Sequence, residues 1–274
     1  MSGRITSTFQ NLRERKQGGF IAYVTAGDPS PLRTVEILTA LERAGVDIIE
    51  LGIHFSDPLA DGPTIQAASG RALAAGMTVS KSLDAVREFR QSSHTPVVLF
   101  TYLNPIYTYG FSKFVADASA AGADGLLVLD MPHEEVAANA ELLDAGGLDA
   151  IRLVAPTTPP ARMEEICRTA QGFIYYVSRE GVTGEQSSLA DSIASQVDEI
   201  RCHSDLPVAV GFGISTAEQT SSVASQSDAA VVGSAIVRRI GEVGHVASLS
   251  AEVERFVAPL AAAAHSTKPI SAAR

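Results

Sequence analysis

Glu50 interrupts the apolar run VDIIEL (46–51), and Asp61 follows it across the loop HFSDPLA (54–60). Partial burial raises the pKa of a carboxyl group, which suits a proton donor near neutral pH. By the two-residue alternation of a strand, Glu50 shares a face with Ile48. That face is either the interior of a closed sheet, where the carboxyl meets substrate, or the side packed against helices, where it needs a partner cation. Asp61 precedes Gly62 and Pro63, so it serves either as the N-cap of a helix beginning there or as a reacting group.

Three glycine-bearing segments close later strands: GVTG (181–184), GFG (211–213) and VGSA (232–235). Glycine lets backbone N–H groups approach an anion closely, and a helix starting at Ser234 adds the positive end of its dipole. Singly each is an ordinary tight turn; together they look like a phosphate cradle. Tyr23, Phe100, Tyr175 and Phe212 fall on or just after strands at the same end. One aromatic on a strand is ordinary core, whereas the four jointly fit a flat apolar ring attached to a phosphorylated tail. Asp130 and Asn104 also mark strand ends and read as loop organisers. No two histidines stand at i, i+4, and neither H-E-x-x-H nor G-x-S-x-G occurs, so metal and serine-nucleophile chemistry lack support.

The elements that must position these groups follow from periodicity. Eight β-branched or aromatic runs recur, FIAYV (20–24), VDIIEL (46–51), PVVLF (96–100), DGLLVL (124–129), DAIRLV (149–154), FIYYV (173–177), PVAV (207–210) and DAAVV (228–232), and read as buried strands. Helical spacing fills the gaps, as in Leu32, Val35, Leu38 and Leu41. Ser30-Pro31 and Thr158-Pro159 look like helix starts, Ser215 to Glu218 has capping-box spacing, and Gly45, Gly122 and Gly146 sit where helices end. The plan glycine, one residue, aspartate, strand repeats in AGVDIIEL, AGADGLLV and GGLDAIRL.

Eight βα units predict a (β/α)8 barrel as a single domain over 1–274. The competing open sheet would carry G-x-G-x-x-G after its first strand, where TAGDPSP stands instead. Long connections follow strands 2 and 6, residues 2–16 predict a helix over the far end of the barrel, 247–264 the last helix, and 265–274 a frayed tail. The chain of 274 residues is 46% hydrophobic with a net charge of −10, enough for a large core and without a basic footprint for nucleic acid. Two cysteines, Cys167 and Cys202, lack metal or redox spacing, and no signal peptide or membrane-length apolar stretch appears. A cytoplasmic location is expected.

The segments ELGIHFSDPLADGPTIQ, YVTAGDP, YLNPIY, DMPHEE, SREGVTG, GFGIS and VGSAIV, in this order over about residues 5–260, resemble the motif series of the tryptophan synthase α chain. The resemblance implies retro-aldol cleavage of indole-3-glycerol phosphate to indole and glyceraldehyde 3-phosphate. It assigns proton delivery to Glu50 and stabilisation of the ring N–H to Asp61. Gly184, Gly213, Gly233 and Ser234 would hold the phosphate; Tyr23, Phe100, Leu127, Tyr175 and Phe212 would enclose the indole, and Thr183 would help close a lid. It implies no cofactor on this chain, and a β chain carrying pyridoxal phosphate in an α2β2 complex. His54, Asp57, Pro58, Asn104, Pro105 and Pro132 would lie on loops facing that partner. A stand-alone lyase and a weakly catalytic activator of the β chain are the alternatives. The sequence departs from the family at His54, where proline is usual in GIPFSDP, and more mildly at Met131.

Overall fold

The structure, a computed structural model, describes residues 3–177, 186–211 and 213–268. Its strands are β1 (Gly19–Thr25), β2 (Ile48–Gly52), β3 (Val97–Thr101), β4 (Gly125–Val128), β5 (Asp149–Ala150), β6 (Arg152–Val154), β7 (Ile174–Val177), β8 (Val208–Gly211) and β9 (Ala229–Val232). All pair in parallel, in the order β5-β4-β3-β2-β1-β9-β8-β7-β6. The two ends of that order, β5 and β6, are separated by Ile151 alone, so the sheet rolls into a barrel. The expected run 149–154 is thus one barrel position divided in two: its first half pairs with β4 and its second with β7.

The helices are α1 (Arg4–Arg15), α2 (Thr34–Arg43), α3 (Pro63–Ala74), α4 (Val79–Phe89), α5 (Leu103–Tyr109), α6 (Phe111–Ala121), α7 (His133–Gly146), α8 (Pro160–Thr169), α9 (Gln186–Arg201), α10 (Ala217–Gln226), α11 (Ser234–Val243) and α12 (Leu249–His265). Alternation along each strand sorts the core. Ile21, Ile48, Val98, Leu127, Phe173, Ala209 and Val231 fill the barrel together with Ile5, Phe9 and Leu12 of α1, which plugs the bottom. The residues between them, such as Ile49, Leu51, Val97 and Leu99, pack outward against the helices.

Some local starts and stops shift by one residue. The capping box is Thr216 with Gln219, α8 begins at Pro160 with Pro159 as its N-cap, and Gly147 rather than Gly146 takes the left-handed turn after α7. The Thr216–Gln219 pair and Gly147 complete the hydrogen bonds of their helix ends by side chain and by positive φ respectively, whereas Pro160 fills the first turn of α8, where no N–H is needed.

The repeated aspartate has a structural purpose at the barrel floor. Asp47 accepts the N–H of Phe20 at 2.8 Å, Asp124 that of Val97 at 2.8 Å, and Asp228 that of Val208 at 2.9 Å. In each case the residue before an even barrel strand clasps the first free amide of the strand before it. Ahead of β7 the corresponding bond is made from three residues upstream by the neutral Gln171, which accepts the N–H of Ala150 at 3.0 Å. Asp149, the third member of the sequence repeat, makes no such clasp, and burial pushes its pKa up to about 6. Basic groups stand beside the clasping carboxylates: His265, whose pKa its bond to Asp47 raises, lies 2.8 Å from Asp47, Arg4 and Arg90 lie 2.7 and 3.1 Å from Asp124, and Arg201 lies 3.1 Å from Asp228.

Candidate active site

Glu50 faces the barrel interior above Ile48, with Tyr23 of β1 and Val98 of β3 as its cross-strand neighbours. It is 0% exposed, and neither carboxyl oxygen has a hydrogen-bond partner. The alternative of an ion pair in the helix layer therefore falls. An isolated carboxylate in such a place is too costly to keep ionised, and burial pushes its pKa up to about 8. At neutral pH Glu50 is an acid with a proton to give.

An aromatic wall surrounds it. The rings of Tyr23 and Phe100 meet edge to face at 5.1 Å between centroids, and Phe100 meets Tyr175 at 6.4 Å. Leu127, 1% exposed, pairs with Phe100 across the sheet and continues the wall. The Tyr23 hydroxyl occupies the space that a Cβ at Gly52 would need, and the Tyr175 hydroxyl does the same at Gly211. Both strand-end glycines make room for these phenols, a role visible only once the strands are paired.

Asp61 is half-buried at the end of the loop after β2. It does not cap α3: Gly62 is the N-cap and Pro63 the first helical residue. With the capping role taken elsewhere, its carboxyl is left for the barrel mouth. Burial raises the Asp61 pKa, and the Tyr102 hydroxyl beside it pulls the other way. Asp61 and Glu50 both act electrostatically on the Tyr23 hydroxyl, which puts the two carboxyls around one wall of the mouth. Tyr102 is absent from the residues singled out by sequence. Its place directly after β3, at the head of YLNP, is the signal that marks it.

After β8 and β9, Gly213 adopts φ +61° and has open space over it, while Gly233, packed against Tyr23, caps α11 without a side-chain bond to the first turn. That helix start presents unpaired N–H groups at Ser234 and Ala235, next to the exposed Ser234 side chain. Thr183, Gly184 and Phe212 lie outside the described residues.

The loops behave unevenly. Asp57, Asn104 and Pro132 are exposed, and Pro58 and Pro105 are partly so. His54 is instead 8% exposed, its Nδ1 has no partner, and burial lowers its pKa, so the imidazole is neutral at pH 7. It lines a surface groove of about 400 Å³ with Phe55, Asn104 and Pro105. Asp130 organises its neighbourhood as expected, accepting the Leu103 N–H at 2.7 Å. Among the described residues no His, Cys, Asp and Glu group could hold a metal, and no helix is long and apolar enough to cross a membrane.

The sequence model of the tryptophan synthase alpha chain matches residues 9–266. The chain belongs to that family. The Geobacter sulfurreducens tryptophan synthase alpha chain is 48% identical over 257 residues, covering 94% of this chain and 97% of that one. The Burkholderia multivorans alpha chain is 46% identical over 269 residues, covering 97% and 99%. Among solved structures, the alpha subunit of Legionella pneumophila superposes with a TM-score of 0.89 at 37% identity, covering 96% of this chain and 98% of that one. A structure of the Pyrococcus furiosus tryptophan synthase α2β2 complex gives a TM-score of 0.83 at 39% identity, covering 89% and 98%. The protein is accordingly an α subunit of tryptophan biosynthesis, a carbon–carbon lyase acting on indole-3-glycerol phosphate. The family's α chain uses no cofactor of its own; pyridoxal phosphate belongs to the β chain.

Proposed function

We propose that Glu50 and Asp61 divide the retro-aldol cleavage between them. Glu50 delivers its proton to C3 of the indole ring, which turns the ring into an indolenine-like cation. Positive charge grows on the ring nitrogen, where the Asp61 carboxylate accepts the N–H hydrogen bond. The side-chain hydroxyl then loses its proton, its C–O bond becomes the aldehyde carbonyl, and the electron pair of the broken C–C bond returns to the ring to give neutral indole. The Glu50 carboxylate, having given up its first proton, takes this second one and is restored. Tyr23, Phe100, Leu127 and Tyr175 hold the indole plane, joined by Phe212, while Gly213, Gly233 and Ser234, with Gly184, hold the phosphate. Thr183 closes the lid over Asp61.

The loops bearing His54, Asp57, Pro58, Asn104, Pro105 and Pro132 face a β chain in an α2β2 complex, as in the Pyrococcus furiosus assembly. The chain works as one barrel domain in the cytoplasm. The observation that carries the reading is the fully buried, unpartnered Glu50 at the mouth of an aromatic-lined barrel. The test is indole release from indole-3-glycerol phosphate by the purified chain, alone and with β chain. Turnover that rises on adding β chain supports the reading, equal turnover makes the chain a stand-alone lyase, and stimulation of the β chain without indole release overturns the catalytic assignment.

A further inference from the structure

Tyr102 is 5% exposed and stands between the end of β3 and the start of α5. Its hydroxyl oxygen accepts the N–H of Ala60 at 3.0 Å. With a lone pair already engaged by that donor, the hydroxyl proton is free for an acceptor, and the acceptor beside it is the carboxyl of Asp61. The ring is gripped as well: it lies 5.4 Å from the Phe55 ring, tilted by 40°. The backbone at its root is fixed by the bond from the Leu103 N–H to Asp130. By contrast, other bonds of the loop are local, from Leu59 N–H to Asp57 C=O, from Asp61 N–H to Pro58 C=O, and from Gln66 to the Asp61 carbonyl. Tyr102 thus ties both ends of the segment Phe55–Asp61 to a rigid strand end.

We propose that Tyr102 is a positioning residue, whose hydroxyl holds the Asp61 carboxylate at its working place and favours its ionised form. This rests on the role given above to Asp61. A donor to the charged form of a carboxylate stabilises that form, whereas burial acts against it. The hydroxyl therefore works against the rise that burial causes, and so favours the charged form, which accepts from a cationic ring better than the neutral acid does. The Ala60 bond sets the height of the loop, and the Phe55 contact sets its tilt. Because Asp130 fixes the root of Tyr102, a displacement of its loop is passed to Asp61 through one side chain.

The experiment compares Tyr102→Phe, Asp61→Asn and Phe55→Leu in the full chain, with and without β chain, reading kcat, KM and the pH profile of kcat/KM, with circular dichroism to confirm folding. For Tyr102→Phe, kcat should fall about tenfold, the size of one lost hydrogen bond to a charged group. KM should stay near that of the parent, and the acid limb of the profile should move to higher pH, since the neutral form of Asp61 is no longer disfavoured. Phe55→Leu keeps the hydroxyl and should leave that limb in place. If Asp61→Asn is inactive but the limb of Tyr102→Phe coincides with that of the parent, the role of Tyr102 is overturned and that of Asp61 stands. If Asp61→Asn keeps full turnover, the underlying reading fails instead. A limb displaced equally in Phe55→Leu would assign the effect to ring packing and also overturn the proposal.

Discussion

Replacing Glu50 by glutamine should cut turnover sharply and, at alkaline pH, make the protein more stable. In the folded chain the Glu50 carboxyl holds its proton up to about 8, against an ordinary value of 4.5. Between these values the folded state keeps a proton that the unfolded state has released, so stability falls as pH rises, by about 1.4 kcal/mol per pH unit. The contribution is complete below the unfolded value and fully lost above the folded one. Over the whole interval the loss amounts to about 5 kcal/mol. That is comparable with the net stability of many domains. Glutamine has no proton to lose, so its advantage over the parent should widen from about pH 5 to pH 8 and then level off. Urea unfolding followed by far-ultraviolet circular dichroism, at closely spaced pH values, measures it. The chain has no tryptophan, which makes intrinsic fluorescence the poorer probe. Indole release by the same variant should fall by roughly 10²–10⁴, the range for loss of a general acid. A stability difference that does not change with pH would mean that Glu50 ionises as freely in the barrel as in the unfolded chain, and the reasoning from burial would be refuted.

Asp61→Asn should lower kcat by roughly 10²–10³ with a smaller effect on KM, because an amide cannot neutralise the cationic ring; steady-state indole release checks this, and near-parental kcat would sink it. Gly213→Val places a β-branched residue at φ +61°, and should weaken binding of a phosphorylated ligand roughly tenfold or more through strain and a blocked backbone approach; unaltered binding of glycerol phosphate by calorimetry would put the cradle elsewhere. His54→Pro removes a buried, unpartnered Nδ1 and stiffens the loop between Glu50 and Asp61, so isolated-chain turnover should rise by up to about fivefold and stimulation by β chain should narrow. Overlapping pH–rate profiles for the two proteins, with and without β chain, would show the residue to be silent.

The barrel was legible because its signals are periodic: eight apolar runs separated by helical patterns leave few other ways to bury so much surface. The division of one run at Ile151 was not, since both halves carry the same residue types and only the closing of the ring separates their partners. Glu50 was legible as a carboxylate in an apolar run, but which face it takes depends on the register of three strands. Asp61 was open between two roles because a helix cap and a catalytic carboxylate look alike in sequence; Gly62 as the N-cap separates them. His54 illustrates the opposite failure. A histidine in a polar loop reads as exposed, whereas His54 is buried, and no pattern in the sequence marks that. The aspartate repeat pointed to a common plan yet included Asp149, which has the spacing without the bond, and passed over Gln171, which has the bond without the charge.

The floor clasps give the barrel an uneven stiffness. Three of the four have a carboxyl acceptor with a basic side chain beside it, whereas the clasp at Gln171 joins two neutral groups, and hydrogen bonds of that kind are about half as strong as charge-assisted ones. Counted around the ring, Gln171 heads the sixth of eight strand positions and Glu50 lies on the second, diametrically across. The wall that yields most readily to strain is therefore the one farthest from the acid. It is also the wall where the strand position is split at Ile151. Compliance is thus concentrated away from the acid, and the seat of the proton keeps its shape.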